Sequence, residues 1–180
     1  MVEKVVNSEI TNIVDVVERI VDKVRLEYDP TNNEQPYFLH GHPLEIINTL
    51  KEYTSIPSLN SKKFPLIALF EDINDKGAEG LFSNQALLNI VFITDTDKNY
   101  KAYDRYEKTF NEILTPIFNL FVKHFKASRE VFTVKRSLKP GKVNHLFWGR
   151  KGLYGNDANF FADAIDAIEI ENLDFKVYRK

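Results

Sequence analysis

His40 and His42, separated only by Gly41, are the first residues whose types and spacing suggest chemistry. Two imidazoles can share a metal ion, but a protein metal site needs further ligands, and the nearest carboxylate belongs to Glu45. Gly41-His42-Pro43 is also typical of the turn between a strand and a helix. We therefore expect a turn here, and a metal-dependent hydrolase that uses His40 and His42 stays as a third interpretation of the chain.

A group of acidic residues follows the first strongly apolar run, at Glu71, Asp72, Asp75 and Glu79. Carboxylates at a strand end can hold the magnesium ions of enzymes that cut phosphodiesters. A two-metal nuclease of the restriction-enzyme type also needs an acid two residues before a lysine on the next strand. The residue two before Lys98 is a threonine. Because this spacing fails, a solvated acidic loop is the preferred interpretation.

The remaining catalytic patterns are absent from the sequence. There is no Gly-x-Ser-x-Gly elbow for a serine nucleophile. Gly149, Gly152 and Gly155 have neither the spacing nor the preceding βαβ context of a phosphate-binding or dinucleotide-binding loop. We therefore expect a protein that is not an enzyme and that has no catalytic residues, cofactor or metal.

The distribution of charge is more informative than its sum. Residues 121–151 carry nine Lys or Arg residues against one acid, Glu130, whereas residues 1–120 carry 12 basic and 19 acidic residues. The whole chain has a formal net charge of −2. Acidic and basic sectors allow copies of one chain to attract each other head to tail, or allow the basic sector to meet a polyanion.

The basic sector also contains aromatic residues, so two functional interpretations stay open. Its cations alternate with Phe125, Phe132, Phe147 and Trp148 over residues 123–151. This mixture suits nucleic acid, through phosphate pairing and base stacking. It equally suits electrostatic contact with another protein, and a plain solvated face is the third possibility. No recognition helix or known nucleic-acid module is visible.

Length and composition indicate a single soluble domain over residues 1–180. The chain has 180 residues, no cysteine, and an unusually high count of 14 Phe. The lack of cysteine excludes disulfides and fits a reducing compartment. No apolar run approaches the roughly 20 residues of a membrane span, and the first ten residues lack the hydrophobic run of a signal peptide. We expect a cytosolic, soluble chain without membrane contact.

The N-terminal part predicts two helices and a short strand. Apolar residues recur at three- and four-residue spacing over Ile10–Val24, in a helix that Ser8 could cap. Tyr37–Leu39 is a short extended piece. Pro43 begins a second helix, which runs to about Tyr53.

Two nearly all-apolar runs, Pro65–Phe70 and Ala86–Thr94, have the length of strands. Strands that are apolar on both sides are covered on both faces by helices, or by helices and a partner subunit. The polar, glycine-containing stretch from Glu71 to Gln85 between them is predicted to be a loop.

A long amphipathic helix is predicted over Tyr100–Phe125. Pro116 lies inside it, and a proline removes one backbone hydrogen bond and clashes with the preceding turn. We expect a kink or break near Asn111–Glu112. The predicted inner face consists of Tyr103, Phe110, Ile113, Leu114, Ile117, Phe121 and Phe125.

The C-terminal part predicts strands. Val131–Lys135 and His145–Gly149 are short candidates in the basic sector, and Asp166–Tyr178 alternates apolar and polar residues. This alternation slips by one residue at Glu171–Asn172, which predicts a bulge or a turn. The order of elements gives an α+β fold, with a mainly antiparallel sheet packed against the N-terminal amphipathic helix and the long central helix.

This order of elements resembles the tail terminator and neck proteins of long-tailed bacteriophages, also called head–tail joining proteins. The matching stretches are Ile10–Val24, Phe64–Phe70, Leu87–Thr94 leading into Tyr100–Phe125, and Asp163–Tyr178. The segments from Tyr37 to Ser61 and from Val131 to Gly155 are longer than the simplest members need, and 131–155 reads as an insertion.

The resemblance implies a structural virion protein, assembled in the host cytoplasm. It implies a homo-oligomeric ring, commonly a hexamer, that ends the tail tube and joins it to neck and connector proteins, with DNA able to pass through. The alternative is a cytosolic nucleic-acid-binding protein that uses residues 123–151. The predicted interface residues are Arg129, Lys135, Arg136, Lys139, Lys142, Phe147, Trp148, Arg150, Tyr154, Glu71, Asp72, Asp75 and Glu79.

Overall fold

The computed structural model describes residues 12–29, 31, 34–60, 63–70, 81–133, 138, 140–143 and 164–178. The described elements follow the predicted order of helices and strands. They are α1 Ile13–Tyr28, β1 Tyr37–Gly41, α2 Pro43–Ser55, α3 Pro57–Asn60, β2 Leu66–Phe70, β3 Phe82–Asp95, a long helix from Ala102 to Ala127, β4 Val131–Phe132, β5 Gly141–Val143 and β6 Ile165–Tyr178.

The described strands form one sheet in the order β1-β2-β3-β6, with β4 and β5 both paired to the outer side of β6. β1 and β2 run parallel, and the other pairings are antiparallel. The prediction of an α+β fold with a mainly antiparallel sheet is confirmed.

Helices cover the two faces of this sheet. One apolar cluster joins α1 and the long helix to alternate residues of β2, β3 and β6, such as Ile67, Phe92 and Phe175. A second cluster joins Ile47 and Leu50 of α2 to the opposite face. The expectation that β2 is covered on both faces is therefore confirmed. No helix among the described residues is long and apolar enough to cross a membrane.

The first helix begins later than predicted. Asn12 occupies the N-cap position, and its side-chain Oδ1 accepts a hydrogen bond from the backbone N–H of Val14 at 3.1 Å. The helix that the structure describes begins at Ile13, so Asn12 takes the capping role assigned to Ser8, which lies outside the described residues. Capping satisfies one of the backbone N–H groups that a helix start leaves without an intrahelical partner.

Strand β3 is longer than predicted. It begins at Phe82, so residues 82–85 belong to the sheet and not to the predicted loop. These residues extend the pairing with the far end of β6, where Phe82 lies opposite Tyr178 and Gln85 opposite Lys176. Gln85 is half-buried, and its Nε2 donates to Asp174 Oδ1 of β6 at 3.3 Å. Residues 71–80, including all four predicted acidic interface residues, lie outside the described part.

The predicted slip at Glu171–Asn172 is a β-bulge inside one continuous strand. Leu88 pairs with Leu173 and Ile90 with Ile170, so one residue of β3 faces two residues of β6. Asn172 has φ 51, in the left-handed region, and its backbone N–H donates to Asn89 Oδ1 at 2.9 Å. The extra residue keeps the apolar residues on both sides of the bulge on the same face of the sheet.

The long helix is not interrupted near Pro116. Residues Arg105–Leu114 instead form a π-helical segment, between a first α-turn at Ala102–Asp104 and the α-helical Thr115–Ala127. The N–H of Thr115 donates to the carbonyl of Phe110, five residues earlier. A proline ring clashes with the carbonyl four residues before it in an α-helix, and a wider turn relieves that clash. The predicted break is therefore wrong: the helix continues through this region with a change of helix type.

This change of helix type makes one inner-face prediction wrong. Tyr103 is 75% exposed, and Tyr106 is 51% exposed. Arg105 and Thr109 are buried in their place, each 2% exposed. The rest of the predicted inner face packs in the core or against it.

Candidate contact surface on the long helix

A buried ion pair fixes the start of the long helix to the sheet. Arg105 Nη1 lies 3.4 Å from Asp166 Oδ1, and the two side chains are 3% and 0% exposed. Arg105 Nε also donates to the carbonyl of Tyr100 at 3.2 Å. Breaking a buried ion pair by removing one partner is strongly destabilising, so this pair strongly constrains how the helix sits on β6.

Next to this anchor, aromatic and cationic side chains meet at the surface. Lys142 of β5 places its Nζ 4.9 Å from the ring centre of Tyr106 and 5.4 Å from that of Phe110. Strand β5 reaches the helix because Lys142 pairs with Ile168 on the outer side of β6. Lys108 Nζ lies 4.7 Å from the ring centre of Tyr100. We call Tyr103, Tyr106 and Lys142 the tyrosine surface.

Charges around the tyrosine surface are mixed. Residues 101–108 contain Lys101 and Lys108 against Asp104 and Glu107, in addition to the buried Arg105. The backbone N–H of Lys101, at the start of the helix, donates to Asp104 Oδ2 at 3.1 Å. The Asp104 carboxylate is therefore held at the N-terminus of the helix. Exposed tyrosines with both signs of charge around them are typical of protein–protein contacts, in which Tyr is enriched.

The structure places two of the predicted interface residues far apart. Arg129 is exposed just before β4, which pairs with Lys176 and Val177, whereas Lys142 lies opposite Ile168. The nine residue steps from Ile168 to Val177 correspond to roughly 30 Å of strand. Outside the described residues lie Lys135, Arg136, Lys139, Phe147, Trp148, Arg150, Tyr154 and the acids Glu71, Asp72, Asp75 and Glu79.

Charges from different sectors also meet within one chain. Glu27 of α1 forms ion pairs with Lys123 and with His124, whose Nε2 lies 2.8 Å from Glu27 Oε2. Arg19 binds Glu130 through two contacts, at 3.1 and 3.2 Å. The hydrogen bond from Lys123 lowers the pKa of Glu27 against an opposing effect of desolvation, and the charges of Lys123 and His124 lower it further. Lys123 therefore joins two antiparallel helices of the same chain.

Gly41-His42-Pro43 forms the predicted turn between a strand and a helix. β1 ends at Gly41, and His42 caps α2: its Nδ1 accepts from the backbone N–H of Leu44 at 3.2 Å. Glu45 completes a capping box, because its Oε2 accepts the backbone N–H of His42 at 3.3 Å. Within the described ranges, no group of three His, Asp or Glu side chains is arranged to hold a metal ion.

Sequence reasoning missed Arg105, Asp166, Tyr103 and Tyr106 as a unit. Pro116 correctly indicated a disturbed helix, but it does not tell how far the disturbance extends towards the N-terminus. A second signal was available in Tyr103-Asp-Arg-Tyr-Glu-Lys108, where charged residues follow Tyr103, which periodicity assigned to the core.

Comparisons with protein-family models, curated proteins and solved structures give no match to this chain.

Proposed function

We propose that this chain is a structural, non-enzymatic protein of a phage particle, and that it forms a homo-oligomeric ring which ends the tail tube and joins it to the neck. The order of elements supports this proposal, because an N-terminal helix, a sheet, a long helix and a C-terminal strand that closes the sheet are the features of the resemblance. The single observation that carries the contact role is the exposure of two tyrosines beside a lysine on a helix anchored by a buried ion pair.

A ring requires two different contact patches on each subunit. The tyrosine surface lies at one end of the outer edge of β6, and exposed Arg129 lies at the other, roughly 30 Å away. This separation suits head-to-tail association, in which one patch meets a neighbour on each side. The remaining predicted interface residues stay predictions for the same two contacts.

Light scattering of the purified protein tests this proposal. We expect a multiple of the 20.9 kDa chain mass at high concentration, alone or with the tail-tube protein. The variant Y103E/Y106E should return to a single-chain mass, because two charges would be buried in the contact. The control is I56E, which introduces a charge at an exposed apolar residue that follows α2 on the opposite face of the sheet. A wild-type protein that stays a single chain under both conditions contradicts ring formation.

The second candidate function is nucleic-acid binding, which one observation favours. Lys142 already lies over the ring of Tyr106, and Tyr103 is exposed, so a base could stack beside a cation that pairs with phosphate. This function predicts binding of generic DNA that weakens steeply as salt is raised. Neutralising Lys135, Arg136 and Lys139 together should weaken it again. Fluorescence polarisation measures both effects, and affinity that does not depend on salt argues against this candidate.

A further inference from the structure

The helix type decides which residues of the tyrosine surface face outward. At about 100° per residue, an α-helix would place Tyr103 within about 20° of the buried Phe110. The same geometry would turn Arg105 about 140° away from Phe110, towards solvent. The observed burial is the reverse, with Arg105 2% exposed and Tyr103 75% exposed.

Five-residue spacing accounts for the observed burial. The buried residues of the segment are Arg105, Thr109, Phe110 and Leu114, which lie four or five residues apart. This is the spacing of a helix whose hydrogen bonds join residues five apart, and the bond from Thr115 to Phe110 has that length. Arg105 is therefore on the inner face because the segment is π-helical.

We propose that Arg105 is a positioning residue: by binding the buried Asp166, it holds the segment in the π register, and this register turns Tyr103 outward, where with the exposed Tyr106 it contacts a second copy of the chain. In an α register, Arg105 would lose its contact with the Asp166 carboxylate, whose side chain is 0% exposed. Such a separation is strongly unfavourable, so the ion pair selects the wider helix.

The contact with a second copy rests on the proposed ring. The effect of Arg105 on the helix register is independent of that ring. Two features favour a copy of this chain over nucleic acid at this surface. Asp104 and Glu107 lie among the tyrosines and would repel a phosphate backbone. The opposite end of the same sheet edge offers exposed Arg129, which suits a head-to-tail neighbour carrying those acids.

The substitution Tyr103→Gln tests the exposure that the π register creates. An exposed position tolerates this change, so we expect the melting temperature to stay within about 2 °C of wild type. In an α register the same glutamine would replace a core residue, and the melting temperature would fall by many degrees. A large fall overturns the proposal. The matched control is Phe110→Gln, seven residues along the same helix and 2% exposed, which should lower the melting temperature strongly.

The double substitution R105M/D166L tests the role of the ion pair. It removes both charges together, which buried pairs often tolerate. Nitration of Tyr103 by tetranitromethane, normalised to Tyr53 on the other face of the sheet, should fall several-fold as the segment returns to the α register. Unchanged nitration in the folded variant overturns the proposal. If this variant does not melt cooperatively, Asp166→Asn replaces it, with the same expectation and the same overturning result.

The two proposals fail in distinguishable ways. If Tyr103→Gln and the nitration behave as expected but Y103E/Y106E still assembles like wild type, the register is right and the contact is wrong. If R105M/D166L keeps Tyr103 reactive and the protein assembles, the ring stands and Arg105 has no positioning role. A folded R105M/D166L variant that loses both nitration and assembly supports both.

Discussion

At the scale of single residues, contacts between α1 and the end of the long helix join parts of the chain that are distant in sequence. Glu27 reaches Lys123 and His124, and Arg19 reaches Glu130, 111 residues away. These pairs are partly exposed, so each contributes modestly to stability. Together they fix the antiparallel alignment of the two helices, which apolar packing alone specifies less strongly.

The ion pairs of Glu27 with Lys123 and His124 have a defined pH dependence. The pKa of Glu27 is lowered below 4.5 in the folded protein, so the stabilising effect of its carboxylate is present above about pH 4.5 and is lost as the pH falls through the folded pKa. We expect Glu27→Gln to lower the melting temperature slightly at pH 7, with the difference shrinking as the pH falls below 4.5. Thermal melts across this range measure it. Glu18→Gln, on the exposed face of the same helix, is the control, and a difference that persists unchanged at low pH contradicts the assignment.

At the scale of elements, the β6 bulge depends on one backbone conformation. Asn172 adopts φ 51, which asparagine tolerates and β-branched residues avoid. We expect Asn172→Gly to retain wild-type stability and Asn172→Val to lose about 1–2 kcal/mol, because valine is strained in the left-handed region. Urea unfolding of the pair measures the difference. Equal stability of the two variants would show that the bulge relaxes without cost.

Some features of these elements could be predicted from the sequence and others could not. The irregularity at Glu171–Asn172 was predictable as a bulge or a turn, because a one-residue slip in an alternating pattern would otherwise move the apolar residues to the other face of the sheet. The long helix was predictable in extent, but its type was not, since periodicity arguments assume 3.6 residues per turn. That assumption assigned Tyr103 to the core. The pair formed by Arg105 and Asp166 joins residues 61 apart in the chain, and no local pattern identifies such a partner.

At the scale of the whole molecule, β2 separates two apolar clusters. Ile67 and Leu69 belong to the cluster with α1 and the long helix, and Leu66 and Ala68 to the cluster with α2. Substitutions without shared partners add in their effect on stability, whereas those in one cluster couple. We therefore expect Ile47→Ala and Val17→Ala to be additive within about 0.5 kcal/mol, and Val17→Ala and Phe121→Ala to deviate further from additivity. Denaturant unfolding of the single and double variants measures the deviation from additivity for each pair. A larger deviation for Ile47→Ala with Val17→Ala than for Val17→Ala with Phe121→Ala would show that the sheet transmits strain between its faces.

The connection from β1 to β2 has a consequence for every later element. These two strands are parallel neighbours joined through α2 and α3, and crossovers of this kind are right-handed in about 98% of proteins. Chirality thus decides on which side of the sheet α2 lies, before β3 is reached along the chain. The opposite side is what remains for α1 and the long helix. The location of the tyrosine surface therefore follows in part from the handedness of L-amino acids, through a segment that does not touch it.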